Sequence, residues 1–364
     1  MSSNKSLQTS VLRSLFKSNI AFFAIFFISF FFFISIFSYQ IMPDNSKMAN
    51  SINLPIAKMK PGFKQLFLLK KNQILLPQNE NMLKNFFFGS LSDYKQIAIN
   101  NFIQEGDFIS YSLFPHGKVE KIHISNLHFT QEGTFTKSVV FILGTDLYGR
   151  DLLSRIILGT RVSFSVGFIA VLISIIIGVP LGLISGYFGG TIDALICWFI
   201  NVVWSIPTLL LVIAISIIIG KGFWQVFIAV GLTMWVEVAR VTRGEVLKVS
   251  QLPYVELVKS FGLSDFRIMV KHILPNIINP IIIISAANFA TSVLLESGLS
   301  FLGIGVQPPV PSWGMIIRNH YGFIILDKAY LSFFPGLCIL VLVLSFMLLG
   351  NSLRDAFDTK LKKK

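Results

Sequence analysis

At 364 residues the chain could make one large or two ordinary domains, yet 53% of it is apolar, only 13% is charged and phenylalanine alone numbers 36, which points to a bilayer as solvent and excludes an ordinary soluble protein. The formal charge of +13 does not indicate nucleic acid, because the basic residues are spread over tails and loops instead of one soluble domain. Cys197 and Cys338 both lie inside apolar runs, which excludes a disulfide framework and a thiolate metal site.

A spanning helix needs about 20 mostly apolar residues, and runs free of Asp, Glu, Lys and Arg predict six of them. In chain order these are Ile20–Met42, Val162–Ile192, Ala194–Gly220, Gly222–Val236, Ile273–Leu295 and Ala329–Leu353. The second is broken in sequence by Gly178, Pro180, Gly182 and Gly186, and the fourth needs extension to about Val241 to cross. A cytoplasmic head, residues 1–19, carries Lys5, Arg13 and Lys17 before the first run. The run, 20–42, is too long for a cleaved signal and ends in SYQIMPD without a small-x-small site, so it reads as an anchor. The rule that cytoplasmic loops are positive then places the head, the loop with Arg240, Arg243, Lys248, Lys259, Arg267 and Lys271, and the basic tail 351–364 on one side. An even number of spans satisfies all three.

Residues 43–142 are polar, with patches of alternation such as IHISNLHF at 122–129, and predict a small extracytoplasmic segment with some strand. His116, His123 and His128 fall there at a spacing that fits no metal motif. From Leu143 to residue 350 a core of five further helices is expected, with a loop at about 240–276.

That loop holds PYVELVKSFGLSDFRIMVKHILPN, Pro253 to Asn276. Tyr254, Leu257, Val258 and Phe261 recur at i, i+3, i+4 and i+7 and predict one face of a short helix, started by Ser250 and Pro253 and ended by Gly262. A second helix starts at Ser264 as N-cap with Asp265 in its first turn. Lys271 and His272 sit near its end, and Phe266, Met269, Val270 and Ile273 form its apolar face. Pro275 after Leu274 is the expected break before the next span. Periodicity leaves two readings of this glycine elbow open, a loop lying on lipid headgroups or a projection that docks into a soluble partner.

The stretch resembles the EAA loop of importer permeases of the ATP-binding cassette class. Glu256, Gly262 and Ile273-Leu274-Pro275 match its pattern, while Leu257 and Val258 stand where the pattern has two alanines. LGTDLYGRDLLSR at 143–155, GYFGG followed by Asp193, SGLSFLGIGVQPPVPSWG at 297–314 and LLGNSLRDAFD at 348–358 are similar, in order, to the C-type permease of dipeptide, oligopeptide and nickel importers. Where that family has Met-Arg and then Asp after the Gly-Gly turn, this chain has Cys197, Trp198 and Asn201. The resemblance implies an all-α membrane protein, a type I importer bundle of six transmembrane helices, in the bacterial inner membrane with both termini cytoplasmic. It implies ATPase coupling through Tyr254, Glu256, Phe261, Gly262, Asp265, Arg267, Ile273, Leu274 and Pro275. It also implies a second homologous permease, two cytoplasmic ATP-binding subunits and an extracytoplasmic substrate-binding protein.

The chain has no phosphate-binding loop, since Lys118 and Lys221 are the only lysines after glycine and neither precedes Ser or Thr. ATP and magnesium are therefore expected on the partner subunits, and no enzyme motif is present. Glu296, with Gly298 and Gly303 nearby, lines a pathway or holds the helix end locally, and the sequence leaves both open. Glu237 and Arg240, three apart, predict an ion pair on one helix, and Arg150 and Asp151 are expected to fix the approach to the second span. Pro308, Pro309 and Pro311 are expected to stiffen an external loop that could meet the binding protein. The rival reading is a proton-coupled secondary transporter built on Glu296 and the glycine-interrupted second span. Peptide is favoured as substrate over nickel on resemblance alone.

Overall fold

The computed structural model describes residue 15 and residues 18–72, 82–90, 93–130, 132–220 and 222–361. Lys5, Arg13, Lys17, Lys221 and the last three lysines of the tail lie outside the described residues. In chain order the main elements are α1 (Asn19–Ile36), β1 (Phe63–Lys71), α2 (Met82–Phe88), β2 (Tyr94–Glu105), β3 (Phe108–Leu113), β4 (Val119–His123) and β5 (Thr136–Phe141). They continue with α3 (Leu152–Phe188), α4 (Gly190–Trp204), α5 (Thr208–Ile219), α6 (Phe223–Ser250), α7 (Pro253–Ser260), α8 (Asp265–Ile268), α9 (Leu274–Leu302), α10 (Trp313–His320) and α11 (Tyr330–Leu361). The chain forms two compact units, one of residues 1–32, 163–307 and 337–364, the other of 33–162 and 308–336.

The first unit is helical. Among the described residues, five helices are long and apolar enough to cross a bilayer, and α4 with α5 makes a sixth candidate bent by 89°. The third predicted span is therefore not one straight helix. Pro207 supplies no N–H and disfavours helical geometry at Ile206, so α4 ends at Trp204 and the chain turns before α5.

The second predicted span, by contrast, is unbroken, because α3 runs through Pro180 for 37 residues. Its glycines serve packing. A Cβ on Gly178 would lie 2.6 Å from the Trp235 carbonyl oxygen, one on Gly182 2.6 Å from that of Ala239, and one on Gly186 2.7 Å from the Val246 Cβ. Glycine at every fourth position lets the α3 and α6 backbones touch, the small-residue packing that helices in lipid use in place of a hydrophobic effect. The contacts advance in the same direction on both helices, which makes α3 and α6 parallel. α6 also packs against α9, whose buried Asn288 and Ser292 reach the Met234 carbonyl oxygen and sulfur at 3.5 and 3.0 Å, and Phe289 of α9 stacks on Phe346 of α11 at 3.8 Å.

The second unit holds an antiparallel sheet in the order β4-β3-β2-β1-β5. Phe67, Leu68 and Leu69 of β1 are consecutive and fully buried, so the strand is covered on both faces. Leu68 joins Ile99, Ile109, Ile122 and Leu127 on one face, and Phe67 joins Ile56, Ala98 and Phe141 on the other. The segment is thus more ordered than its sequence patches foretell. The alternation at 122–129 yields strand only to His123, after which Ile124–Asn126 form a 3-10 turn. His123 contacts Ser125 at 2.7 Å, and the His128 ring lies 4.9 Å from Tyr94. A cavity of about 530 Å³ beside β1 and β5 is lined by residues that include Asp44, Asp93, Tyr94, Lys137 and Asp151.

In the same unit the loop LGTDLYGRD winds around fully buried Asp146. Its carboxylate accepts from the backbone N–H groups of Tyr148 (2.8 Å) and Arg150 (2.9 Å) and from the Arg150 guanidinium (2.6 and 2.7 Å), with Arg155 3.6 Å away. Gly149 has φ +70°, and a Cβ there would meet the Asn53 carbonyl oxygen at 1.8 Å, so only glycine closes this loop. Asp151 accepts from Ser154 at the start of α3. Arg150 and Asp151 therefore organise the entry to this helix, through Asp146 and Ser154.

His320 of α10 accepts the Leu147 N–H at Nε2 (3.1 Å) and contacts the Ile316 carbonyl at Nδ1. Burial pushes its pKa below the usual histidine value. The folded unit thus favours neutral imidazole, so its contribution is full above the unfolded pKa of about 6.5 and is lost as pH falls through the lower folded value. Thermal unfolding of the purified protein should show stability declining below about pH 6.5, and the decline should flatten in His320→Gln.

Candidate functional site: a glycine elbow on the helical unit

The elbow is built by α7, a turn at Gly262 and α8. Pro253 opens α7, and at its end the Gly262 N–H reaches the Lys259 carbonyl oxygen at 3.0 Å. Gly262 has φ +73° with nothing within 4 Å of a Cβ, so the glycine is required by conformation and not by crowding. Ser264 occupies the N-cap position of α8, but its hydroxyl makes no capping bond.

The second helix does not stop at Pro275. It passes through a π-turn at Met269–Ile273, where the Leu274 N–H bonds the Met269 carbonyl, and continues directly into α9. The wider turn brings Pro275 to the first positions of α9, where its missing N–H does least harm. Lys271 and His272 consequently sit inside a continuous helix, and the His272 carbonyl is taken by the Asn276 amide at 2.6 Å and approached by the Tyr254 hydroxyl at 3.4 Å. The same amide donates to the Tyr254 oxygen at 3.0 Å, and burial raises the Tyr254 pKa.

The faces also differ from the expectation. Val255, Ile268, Met269 and Ile273 are the buried residues, packed with Val179, Leu183, Val238, Val246 and Ile277, while Val258 and Leu263 are half-buried. Of the predicted α7 stripe, Tyr254, Leu257 and Phe261 are 39%, 57% and 73% exposed. On α8 Phe266 is 73% exposed. A helical period identifies a stripe without saying whether it faces inward, and here much of the stripe faces out. Glu256 and Arg267 are exposed and Leu274 is half-buried. The Tyr187 hydroxyl at the end of α3 donates to Asp265 at 2.6 Å, and Lys259 lies 5.8 Å from the Tyr187 ring centre. Both elbow helices are thereby tied to the end of α3.

A second polar tie joins α4 to α6, between residues that no sequence spacing pairs. Arg243 donates twice to Asp193, both at 2.6 Å, and Cys197 contacts the same carboxylate at 3.3 Å. Its one signal was an aspartate in the first helical turn after Gly-Gly, and its partner lies 50 residues on. The expected Glu237–Arg240 pair does not form. The Arg240 guanidinium stacks 3.8 Å over the Trp204 ring and donates to Asn201 at 3.3 Å, because α4 offers an aromatic face and an amide that outcompete an exposed i,i+3 contact.

Glu296 and Gly303 lie far along α9 from the elbow. Glu296 is fully buried and accepts from Ser300 one turn on, at 2.6 Å. Gly303, φ +84°, ends the helix, and Gly298 sits within it with open space around its Cα.

Comparison with known proteins places this helical unit. The profile of the family described as binding-protein-dependent transport system inner membrane component matches residues 178–363. The chain belongs to that family. Among the permease's relatives, the glutathione transport system permease protein GsiD of Pectobacterium atrosepticum is 40% identical over 220 residues, 60% of this chain and 73% of that protein. The dipeptide transport system permease protein DppC of Haemophilus influenzae is 41% identical over 223 residues, covering 61% and 75%. DppC of Bacillus subtilis is 39% identical over 220 residues, covering 60% and 69%. Those 178–363 family residues include the elbow, the Asp193–Arg243 tie and the glycines that seat α3 on α6, and the family and the apolar helices together make the permease a multi-pass membrane transport protein.

Proposed function

We propose that this permease forms half of the translocation pathway of an ATP-driven peptide importer, with a cytoplasmic ATPase docked on the elbow at 253–276. The observation that carries the proposal is the exposure of Phe261 and Phe266 on either side of Gly262, on helices whose other faces are buried against α3, α6 and α9. Two aromatic side chains standing in solvent on a rigid turn suit a hydrophobic groove in a partner. Peptide as substrate rests on the relatives' names, which mention dipeptides and glutathione.

The rest of the assembly follows the same reading. A second permease faces this one, two ATP-binding subunits carry ATP and magnesium, and an extracytoplasmic binding protein delivers substrate. The basic head, elbow loop and tail are cytoplasmic. Because α8 is continuous with α9, movement of the docked elbow is transmitted along a rigid rod to the spans, which exchange between inward-open and outward-open states.

Co-purification tests the docking. The ATPase subunits should stay with the tagged wild-type permease through detergent extraction. A buried aromatic anchor contributes about 2 kcal/mol or more, so Phe261→Asp with Phe266→Asp should weaken association at least roughly thirtyfold. Retention of the ATPases by the double variant would place docking elsewhere.

A further inference from the structure

The residue that the ion-pair expectation misplaced sits where a charge is hard to keep. Glu237 is exposed on α6 and has neither a hydrogen bond nor an ion pair among the described residues. Its depth can be read from the glycine contacts. Gly178 meets Trp235 and Val238, so Glu237 is level with the part of α3 about 15 Å short of its end at Phe188. From Val162 to Phe188 that helix carries no Asp, Glu, Lys or Arg. Measured along α6 instead, Glu237 lies about 9 Å from Arg243, whose pairing with Asp193 marks the polar end of the bundle. Both measures place the carboxylate inside the apolar thickness of the unit.

A charged group at that depth faces water, a partner charge or the bundle interior, not lipid. Lysine and arginine can snorkel to the interface along their long stems, and a glutamate is too short to do so over this distance. The neighbouring cation does not neutralise it, since Arg240 is drawn onto Trp204 and Asn201. Beside Glu237, at the bend between α4 and α5, is a cavity of about 80 Å³ whose lining includes Trp204, Thr208, Thr233 and Thr291. Its volume suits a small headgroup and not a whole peptide. With the Trp204 ring taken by Arg240, its walls provide the hydroxyls of Thr208, Thr233 and Thr291, which together with a carboxylate are groups that receive an organic ammonium.

We infer that the Glu237 face of α6 lines the aqueous pathway and that Glu237 is the counter-ion for the ammonium group of the transported solute. With the peptide reading above, on which the second half of the inference rests, that group is the free amino terminus. Glu237 thereby becomes a specificity residue that favours free-amine over blocked peptides.

Two measurements on the complete reconstituted complex test this. In a background of Cys197→Ser and Cys338→Ser, Glu237→Cys should react with a charged, membrane-impermeant methanethiosulfonate. A thiol that stays unmodified in the intact complex overturns the pathway placement. In proteoliposomes supplied with ATP, the wild type should take up dialanine in preference to N-acetyl-dialanine. Glu237→Gln should cut that preference about tenfold, as expected for loss of a charge-assisted hydrogen bond, and Glu237→Asp should restore part of it. Equal loss for both peptides, or an unchanged preference, overturns the counter-ion role. If the wild type moves neither peptide, the peptide reading falls and takes the amino-terminal assignment with it, while the thiol reaction still decides whether the face is wet.

Discussion

Gly262→Val should leave the permease in the membrane at wild-type abundance and reduce substrate uptake at least tenfold. The turn holds φ +73° with open space about its Cα, so the penalty is purely conformational. A non-glycine residue there costs about 1–3 kcal/mol, toward the upper end for a β-branched side chain. The surrounding buried residues, Val255 and Ile268 among them, anchor the two helices independently of the turn, so the strain is relieved by re-angling the elbow and not by unfolding the bundle. Gly262→Asn is the discriminating control. Asparagine tolerates the left-handed conformation and meets no atom within 4 Å at its Cβ, so uptake should stay close to wild type. Equal loss in both variants would mean that the site rejects any side chain, as a tight partner contact would.

Asp146→Ala should produce the largest loss of stability. This carboxylate gathers two backbone N–H groups and the Arg150 guanidinium, with Arg155 at 3.6 Å, and all three side chains are buried. Removing the acid leaves two buried guanidinium groups without their counter-ion, a change that costs about 3–5 kcal/mol. The variant should be cleared from the membrane or unfold well below the wild type in a thermal-shift assay of the detergent-extracted protein. Asp146→Asn keeps an acceptor for the Tyr148 and Arg150 N–H groups and should lie between the two. A wild-type melting profile for Asp146→Ala would show that the cluster contributes little.

Much of the helical unit was legible because length and lack of charge are enough to find a spanning helix. The departures come from residues with two uses. Gly178, Gly182 and Gly186 look like interruptions, yet in a lipid-facing helix they are contact points. Pro275 looks like a stop, but a π-turn just before it lets the helix continue. Pro207 lies inside an apolar run that signals one span, yet the helix bends sharply there. At the elbow, spacing located both helices and the glycine, while the exposed and buried faces came out differently, since the side that packs depends on α3, α6 and α9. The Asp193–Arg243 and Asp146–Arg155 contacts join residues that a periodic pattern does not link.

If an ATPase docks on the elbow as proposed, ATP is the source of energy for transport. Purified permease, reconstituted with its partner permease, ATPases and binding protein in sealed vesicles, should accumulate labelled dialanine only with ATP and magnesium on the ATPase side, and a proton gradient alone should drive none. Accumulation driven by the proton gradient without ATP would contradict this account and favour a secondary transporter.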